Sequence, residues 1–339
     1  MRDIADQVGV SVSAVSRALG GSTEIGPETR AAITEAAEEL GYEPNSAARQ
    51  LKMQRTDTVG LILPPVADLR FSDPFFSEFL TGLVAQLETF GVELLVSADG
   101  DPDPGAPYLK RIRSRRVDGF IIVRTQLEDP RITTLKGHKV PFVAFGRTRD
   151  ADDFSYVDED GEQSMIMVVD HLVELGHTRL VCLAEPVEYT KSHNRVQGFL
   201  RGLESHGLPV SQDSVVVSGY RQEAGRETAG HILDRADPPT AIVGCNDLLA
   251  LGAMSAARDR GLVVGRDVSI TGFDDIALAV YAHPPLTTVR NSAHDSGRLT
   301  ADILGRQIRG EHVTDHQVLL NLELVVRGST GPPPAAPHD

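Results

Sequence analysis

Several side chains stand where apolar runs end. The motif "DPFF" supplies Asp73, Phe75 and Phe76, and "YVDED" supplies Asp158. "SHNRVQGF" supplies Arg195 at the start of a helical pattern, and "CND" supplies Asn246 and Asp247. "GFDD" supplies Asp274 and "VRNSA" supplies Asn291. In open α/β sheets the carboxyl ends of strands are where ligands bind. Carboxylates, a guanidinium and amides together suit vicinal hydroxyls, which both donate and accept, so the chemistry indicated is polyol binding. Phe75 and Phe76 offer ring faces for a sugar, with at least one of them a candidate for the core. Arg124 in "IIVRT" and Arg147 in "AFGR" end apolar runs on the same expected side. Asp247 is better placed to cap the helical run that follows it, and turn or cap roles compete with binding at every other polar position named.

A second constellation lies in "IADQVGVSVSAVSRAL". Ala5 is small enough for a close helix crossing, and Gly9 can take the left-handed conformation of a tight turn. Ser11 caps a second helix, and Val15 fills the space between the two. This spacing is a helix-turn-helix signal, although an ordinary surface helix pair can show the same offsets. Val12, Ser13, Ser16 and Arg17 then face outward. Arginine can bridge guanine O6 and N7, valine can pack on a thymine methyl, and serine suits phosphate oxygens. Charge argues the other way. Residues 1–55 hold six Arg or Lys against eight acids, and a nucleic-acid-binding domain is usually basic. Five of those acids, Glu28, Glu35, Glu38, Glu39 and Glu43, fall on the next helical pattern or just past it, and that helix can face away from DNA.

The elements that must position these groups separate into regions. Residues 1–44 read as three short helices, the third opening at "GPETR" with a stripe of Ile33, Ala36, Ala37 and Leu40. Residues 45–56 form a polar, basic connector in which Asn45 can cap a brief helix. From residue 57 to 330, apolar runs such as "VGLIL", "GFIIV", "RLVCLA" and "AIVGC" alternate with helical patterns. That rhythm implies parallel sheets covered on both faces, and its length implies two lobes. The Pro-rich residues 331–339 are expected to be a disordered tail.

The 339-residue chain carries a net charge of −15, so any nucleic-acid contact must be local. Its two cysteines, Cys182 and Cys245, sit in apolar runs and are expected to be buried free thiols. The opening "MRDIADQV" lacks an apolar signal core and no run of about 18 apolar residues exists, so a cytoplasmic protein without membrane contact is expected. There is no Walker loop and no GxSxG elbow. "DGDPDPG" does not keep the EF-hand register, and His171, His177, His193 and His206 lack zinc spacing and read as surface residues. No cofactor, metal or enzymatic activity is expected.

The pattern resembles the LacI/GalR family of bacterial transcription regulators. The motifs that carry the likeness run in order through "RDIADQVGVSVSAVSRAL", "PETRAAITEAAEELGYEPNSAARQL", "TVGLILP", "HLVELGHTRLVCL", "AIVGCNDLLALGAMSAARDRGLVVGRDVSITGFDDI" and "PPLTTV". The resemblance implies a small all-α helix-turn-helix headpiece, a hinge helix, and an α/β core of two doubly wound parallel-sheet lobes like periplasmic binding proteins. It puts Val12, Ser13 and Arg17 at base-reading positions and Ser11 and Ser16 at phosphate positions. Leu51 matches a minor-groove wedge, with Asn45 and Ala48 at other hinge contacts. Asp158, Arg195, Asn246 and Asp274 match effector positions, Tyr220 an aromatic wall, and Asn291 a place where the family more often has Gln. Met1 stands where a Thr or Ser cap and an apolar residue usually precede the first helix, so a slightly longer native start is expected.

The implied function is a homodimeric repressor of sugar-use genes, with α-glucosides or oligosaccharides the nearest effectors by motif. It binds double-stranded operator DNA and is released by a small molecule. The competing readings are a sugar-binding transport receptor and a corepressed, purine-type regulator.

Overall fold

The computed structural model describes residues 1–19, 24–42, 55–63, 73–150 and 153–334. The chain forms two compact units, Met1–Asp57 and Thr58–Asp339.

The first unit packs three helices, α1 (Arg2–Val8), α2 (Val12–Leu19) and α3 (Pro27–Glu39), around Ile4, Ala5, Val15, Ala18, Ile33, Ala36 and Ala37. Gly9 has φ 73° and its N–H bonds the Ala5 carbonyl at 2.9 Å, closing α1. The left-handed turn is what an L side chain would resist. Ser11 Oγ accepts from Ala14 N at 3.1 Å, and Val15 is fully buried between the helices. Met1 precedes α1 without a side-chain cap bond. Leu40 departs from its expected place in the buried stripe: α3 stops at Glu39, and Leu40 is 47% exposed.

The second unit holds two six-stranded sheets. In the first lobe the strands are β1 (Thr58–Leu63), β2 (Glu93–Ala98), β3 (Gly119–Val123), β4 (Phe142–Phe145), β5 (Ser155–Glu159) and β11 (Gln317–Leu320), in the order β11-β5-β4-β3-β1-β2. All its pairings are parallel. In the second lobe they are β6 (Leu180–Ala184), β7 (Val215–Val217), β8 (Ala241–Gly244), β9 (Ser269–Asp274), β10 (Thr287–Arg290) and β12 (Glu323–Val325). The order is β12-β10-β9-β8-β6-β7, and only β12 runs antiparallel. Buried apolar clusters cover both faces of each sheet, as near-continuous apolar strands require.

The first lobe carries α4 (Pro74–Thr89), α5 (Ala106–Arg113) and α6 (Pro130–His138). The second carries α7 (Gly161–Glu174), α8 (Thr190–Ser205), α9 (Gln222–Leu233), α10 (Asp247–Asp259) and α11 (Ala277–Tyr281). After β10 the chain returns to the first lobe through α12 (Ala293–Ile308) and β11, then re-enters the second at β12. Three crossings therefore join the lobes, and Glu159 and Asn291 sit beside two of them.

Two expectations are corrected. His177 is not a surface residue: it is buried, facing Thr240 Oγ1 at 2.9 Å, Ser269 Oγ at 2.9 Å and the Gly331 carbonyl at 2.8 Å. The same contacts pin Gly331, whose N–H also bonds Ser269 Oγ at 3.1 Å, so residue 331 is held against the core and does not open a disordered tail. Cys182 and Cys245 are buried free thiols with their sulfurs 3.4 Å apart.

Backbone closeness sets the packing of α9 on α10. A Cβ at Gly252 would overlap the Gln222 carbonyl oxygen, whereas one at Gly137 in α6 would meet nothing within 4 Å. Gly252→Ala should cost about 1–3 kcal/mol in urea unfolding. Gly137→Ala should stabilise by about 0.5–1 kcal/mol. Equal effects of the two would contradict the close helix crossing.

Candidate functional site

In the first unit, α2 turns Val12, Ser13 and Arg17 to solvent, with Ser16 half-buried beside them. Val12 is 45% exposed because Val15 and Ala18 take the buried side of the helix. Arg17 Nη1 pairs with Glu24 Oε2 at 3.2 Å, a partner that sequence reading missed. Both groups are open to water, so the pair is worth about 0–1 kcal/mol and yields readily to a base or phosphate. Asn45, Ala48 and Leu51 lie outside the described residues.

In the second unit the carboxyl ends of both sheets face one cleft of about 1050 Å3, its open mouth included. Leu63 at the end of β1, Arg124 after β3 and Phe145 at the end of β4 line one wall. Glu185 after β6, Cys245 and Asn246 after β8, and Asp274 at the end of β9 line the other. The start of α8 adds Tyr189, Lys191, Ser192 and Arg195. Phe75 and Phe76 both line the cleft, and the core aromatic of that helix is instead Phe79, stacked on Phe145 at 4.5 Å. Asp73 also lines it while capping α4 through Phe75 N at 3.0 Å.

Arg195 is the centre. It is 5% exposed and lies 3.6 Å over the Phe273 ring. Its Nε donates to Glu159 Oε1 at 2.7 Å, and its Nη2 to the same oxygen and to Asp274 Oδ1, the latter at 3.1 Å. Its Nη1 donates to the Cys245 carbonyl. Lys191 Nζ joins Glu159 Oε2 at 3.2 Å and sits 3.3 Å from the Phe145 ring centre. Burial alone would favour neutral forms. For Arg195 the opposing carboxylates outweigh burial and raise its pKa. For Glu159 burial is outweighed by Arg195 and Lys191, and the carboxyl is held below its usual range. For Asp274 burial, reinforced by the Glu159 and Asp247 charges, outweighs Arg195, and the pKa rises well above the ordinary value. The ionised pair is thus Arg195–Glu159. Asp274 stands beside this pair at the cleft wall, where its carboxyl can meet a ligand hydroxyl.

Of the residues expected from sequence, Asp73, Phe75, Phe76, Arg124, Arg195, Asn246 and Asp274 come together in the cleft. Arg147, Asp158, Tyr220 and Asn291 do not line it. Asp158 is buried, with Arg147 Nε 3.2 Å away, and burial pushes its carboxyl up to about 6. Successive residues of a strand face opposite sides, so the neighbour Glu159, not Asp158, reaches Arg195. Asn291 supports Glu159, donating to Oε2 at 2.6 Å. Tyr220 contributes its carbonyl to Asn246 Nδ2 at 3.2 Å, and its ring side bonds Arg221. Asn246, not Asp247, caps α10, its Oδ1 accepting from Leu249 N at 2.7 Å, and its Nδ2 also donates to Glu185 at 2.7 Å. Asp247 instead braces the floor, accepting from Ile276 N at 2.8 Å and from the Thr288 hydroxyl. Glu159, Glu185, Tyr189 and Lys191 are the residues sequence reading missed. Among the described residues no cluster of His, Cys, Asp or Glu could hold a metal, and no helix is long and apolar enough to cross a membrane.

A helix-turn-helix unit joined to a two-lobed core with a ligand cleft between its sheets defines a ligand-responsive, DNA-binding regulator. Residues 1–45 match the family described as bacterial regulatory proteins, lacI family, and residues 169–330 match a periplasmic binding protein-like domain. The chain is 34% identical over 338 residues to the HTH-type transcriptional regulator AglR of Rhizobium meliloti (strain 1021), covering 98% of this chain and 95% of that one. The crystal structure of the lac repressor dimer bound to operator and the anti-inducer ONPF superposes with a TM-score of 0.84 at 26% identity, covering 97% of this chain and 98% of the other. A transcriptional regulator CelR–cellobiose complex gives a TM-score of 0.75 at 29% identity, with the same 97% and 98% coverage. The chain belongs to the LacI family of DNA-binding transcriptional regulators.

Asp247 carries a pH signature. Burial raises its pKa from 3.8 to about 7. A folded-state pKa above the unfolded one stabilises below pH 3.8 and loses that contribution as pH rises through about 7. Asn imitates the neutral acid, so Asp247→Asn should gain up to about 4 kcal/mol on wild type between pH 4 and pH 8. Urea titrations at several pH values measure this; a difference independent of pH would refute the buried acid.

Proposed function

We propose that the chain is a homodimeric repressor of carbohydrate-use genes that binds a pseudo-palindromic operator and leaves it when a neutral sugar enters the cleft. The observation that carries this reading is one cleft that combines Phe75, Phe76 and Tyr189 rings with the Arg195 fork and the Asp274 acid. Ring faces suit the apolar face of a sugar, and the fork and acid suit its hydroxyls. An anion is disfavoured, because Arg195 and Lys191 are paired to Glu159 and the Asp73 and Glu185 carboxyls also line the cleft. The cellobiose held by one similar structure, and the operator held by the other, support the same reading.

On DNA, Arg17, Ser13 and Val12 read base edges, and Ser11 and Ser16 hold phosphates. Asn45, Ala48 and Leu51 are assigned to the hinge contact from the sequence alone. The dimer is supported by apolar side chains left open on both lobes: Val84 on α4 with Leu95 and Val96 on edge strand β2, and Leu278, Val280 and Tyr281 on α11. Sugar that engages Arg195 and Asp274 competes with contacts that join the lobes, and so changes their mutual angle.

Mobility shifts on promoter fragments beside the protein's own gene test both ends. Arg17→Ala should lose roughly 10- to 100-fold in discrimination between operator and unrelated DNA. Phe76→Ala should bind operator normally, and neither it nor Arg195→Ala should respond to any sugar that releases wild type. Unchanged discrimination in the first, or normal release in both of the others, would overturn the assignment.

A further inference from the structure

Arg124 follows β3 with φ 54°, in the left-handed region that side chains other than glycine seldom adopt. The loop around it is pinned from the side away from the cleft. Arg131 Nη2 donates to the Arg124 carbonyl at 2.9 Å. Asp129, 5% exposed, accepts from Gln126 N at 3.2 Å and from Arg131 Nε at 2.9 Å. The backbone between β3 and α6 is thereby fixed. The result is a guanidinium laid over the Tyr189 ring, 4.2 Å from its centre. Such uncommon backbone conformations persist where the surroundings over-determine them, and they cluster at ligand clamps.

This flat pair stands between two cavities. One is the cleft described above. The other holds about 740 Å3, its mouth included, beyond the ends of β1 and β3 and against the starts of α5 and α6. Leu63, Arg124 and Tyr189 line both. The second cavity is a concave space open to solvent at its mouth. Asp101 and Gln126 stand on its wall, and Tyr108, 1% exposed, lines it beside Arg131. Arg131 is committed to Asp129, and Arg111 is close to Asp99, so the second cavity offers an anion no surplus of positive charge.

We propose that the effector is a neutral oligosaccharide of at least two units: one unit fills the cleft, the next fills the second cavity, and the link between them crosses the Arg124–Tyr189 pair. This rests on the reading of the cleft as a carbohydrate site. The aromatic ring supplies a platform to a sugar face, and the guanidinium edge can serve hydroxyls of either unit. The acid and amide of the second cavity then serve the second ring.

Calorimetric titration of the full-length protein tests it, using matched pairs: glucose with maltose and cellobiose, xylose with xylobiose, galactose with melibiose, mannose with mannobiose. At least one disaccharide should bind 10-fold or more tightly than its constituent monosaccharide. Gln126→Trp and Asp101→Trp, which touch only the second cavity, should reduce that ratio to within 3-fold while leaving the monosaccharide affinity unchanged; this unchanged affinity also reports correct folding. A monosaccharide bound as tightly as its disaccharides, or a ratio untouched in both variants, overturns the two-cavity proposal and leaves the cleft's sugar reading standing. Failure of every sugar to bind wild type overturns both.

Discussion

A buried guanidinium is costly to keep, and the core is arranged around keeping one. Removing Arg195 and Glu159 from water costs several kcal/mol for each ion. The cost is offset only while Glu159, Asp274 and the Cys245 carbonyl stay within hydrogen-bonding reach of the arginine. Glu159 ends a strand of the first lobe, whereas Arg195, Cys245 and Asp274 belong to the second. The pair is therefore a joint between lobes, reinforced by Lys191 against the Phe145 ring and by Asn291 at a crossing. It also borders the cleft. A ligand that competes for the arginine must alter the joint, which is the physical route from occupancy to lobe geometry.

The headpiece works on a different scale. Its core is built from small or medium apolar side chains, with Val15 fully buried among them. The outward face of α2 can then be read by DNA without disturbing the packing. Its charge balance is poor for a nucleic-acid binder, and Glu24 screens Arg17 in the absence of DNA. On the proposed reading, weak non-specific binding is expected because few phosphates are neutralised, and selection rests on the base-edge contacts proposed for α2.

Much of the architecture was legible in sequence because buried parallel strands leave continuous apolar runs. The edge strands β7 and β12 span only three residues each, too few to stand out as such runs. Within the cleft, Arg195 and Asp274 were legible as polar groups closing apolar runs. Glu159 was not, because "VDE" offers two acids on opposite faces of one strand, and only the sheet register chooses between them. Tyr189 and Lys191 look like ordinary helix-entry residues until the Gln126–Tyr189 bridge brings the lobes together. His177 was misjudged for the same kind of reason: its partners Thr240, Ser269 and Gly331 are 63, 92 and 154 residues away. Long-range pairing, not local pattern, decides such groups.

The most direct measurement of the joint is a double-mutant cycle on Glu159→Gln and Arg195→Met, read by urea unfolding at pH 7. Either single change leaves a buried charge without its partner and should cost about 3–5 kcal/mol. The double variant should cost less than the two together, with a coupling of about 1.5–3 kcal/mol. Effects that simply add, to within about 0.5 kcal/mol, would show that the lobes are held by something other than this pair.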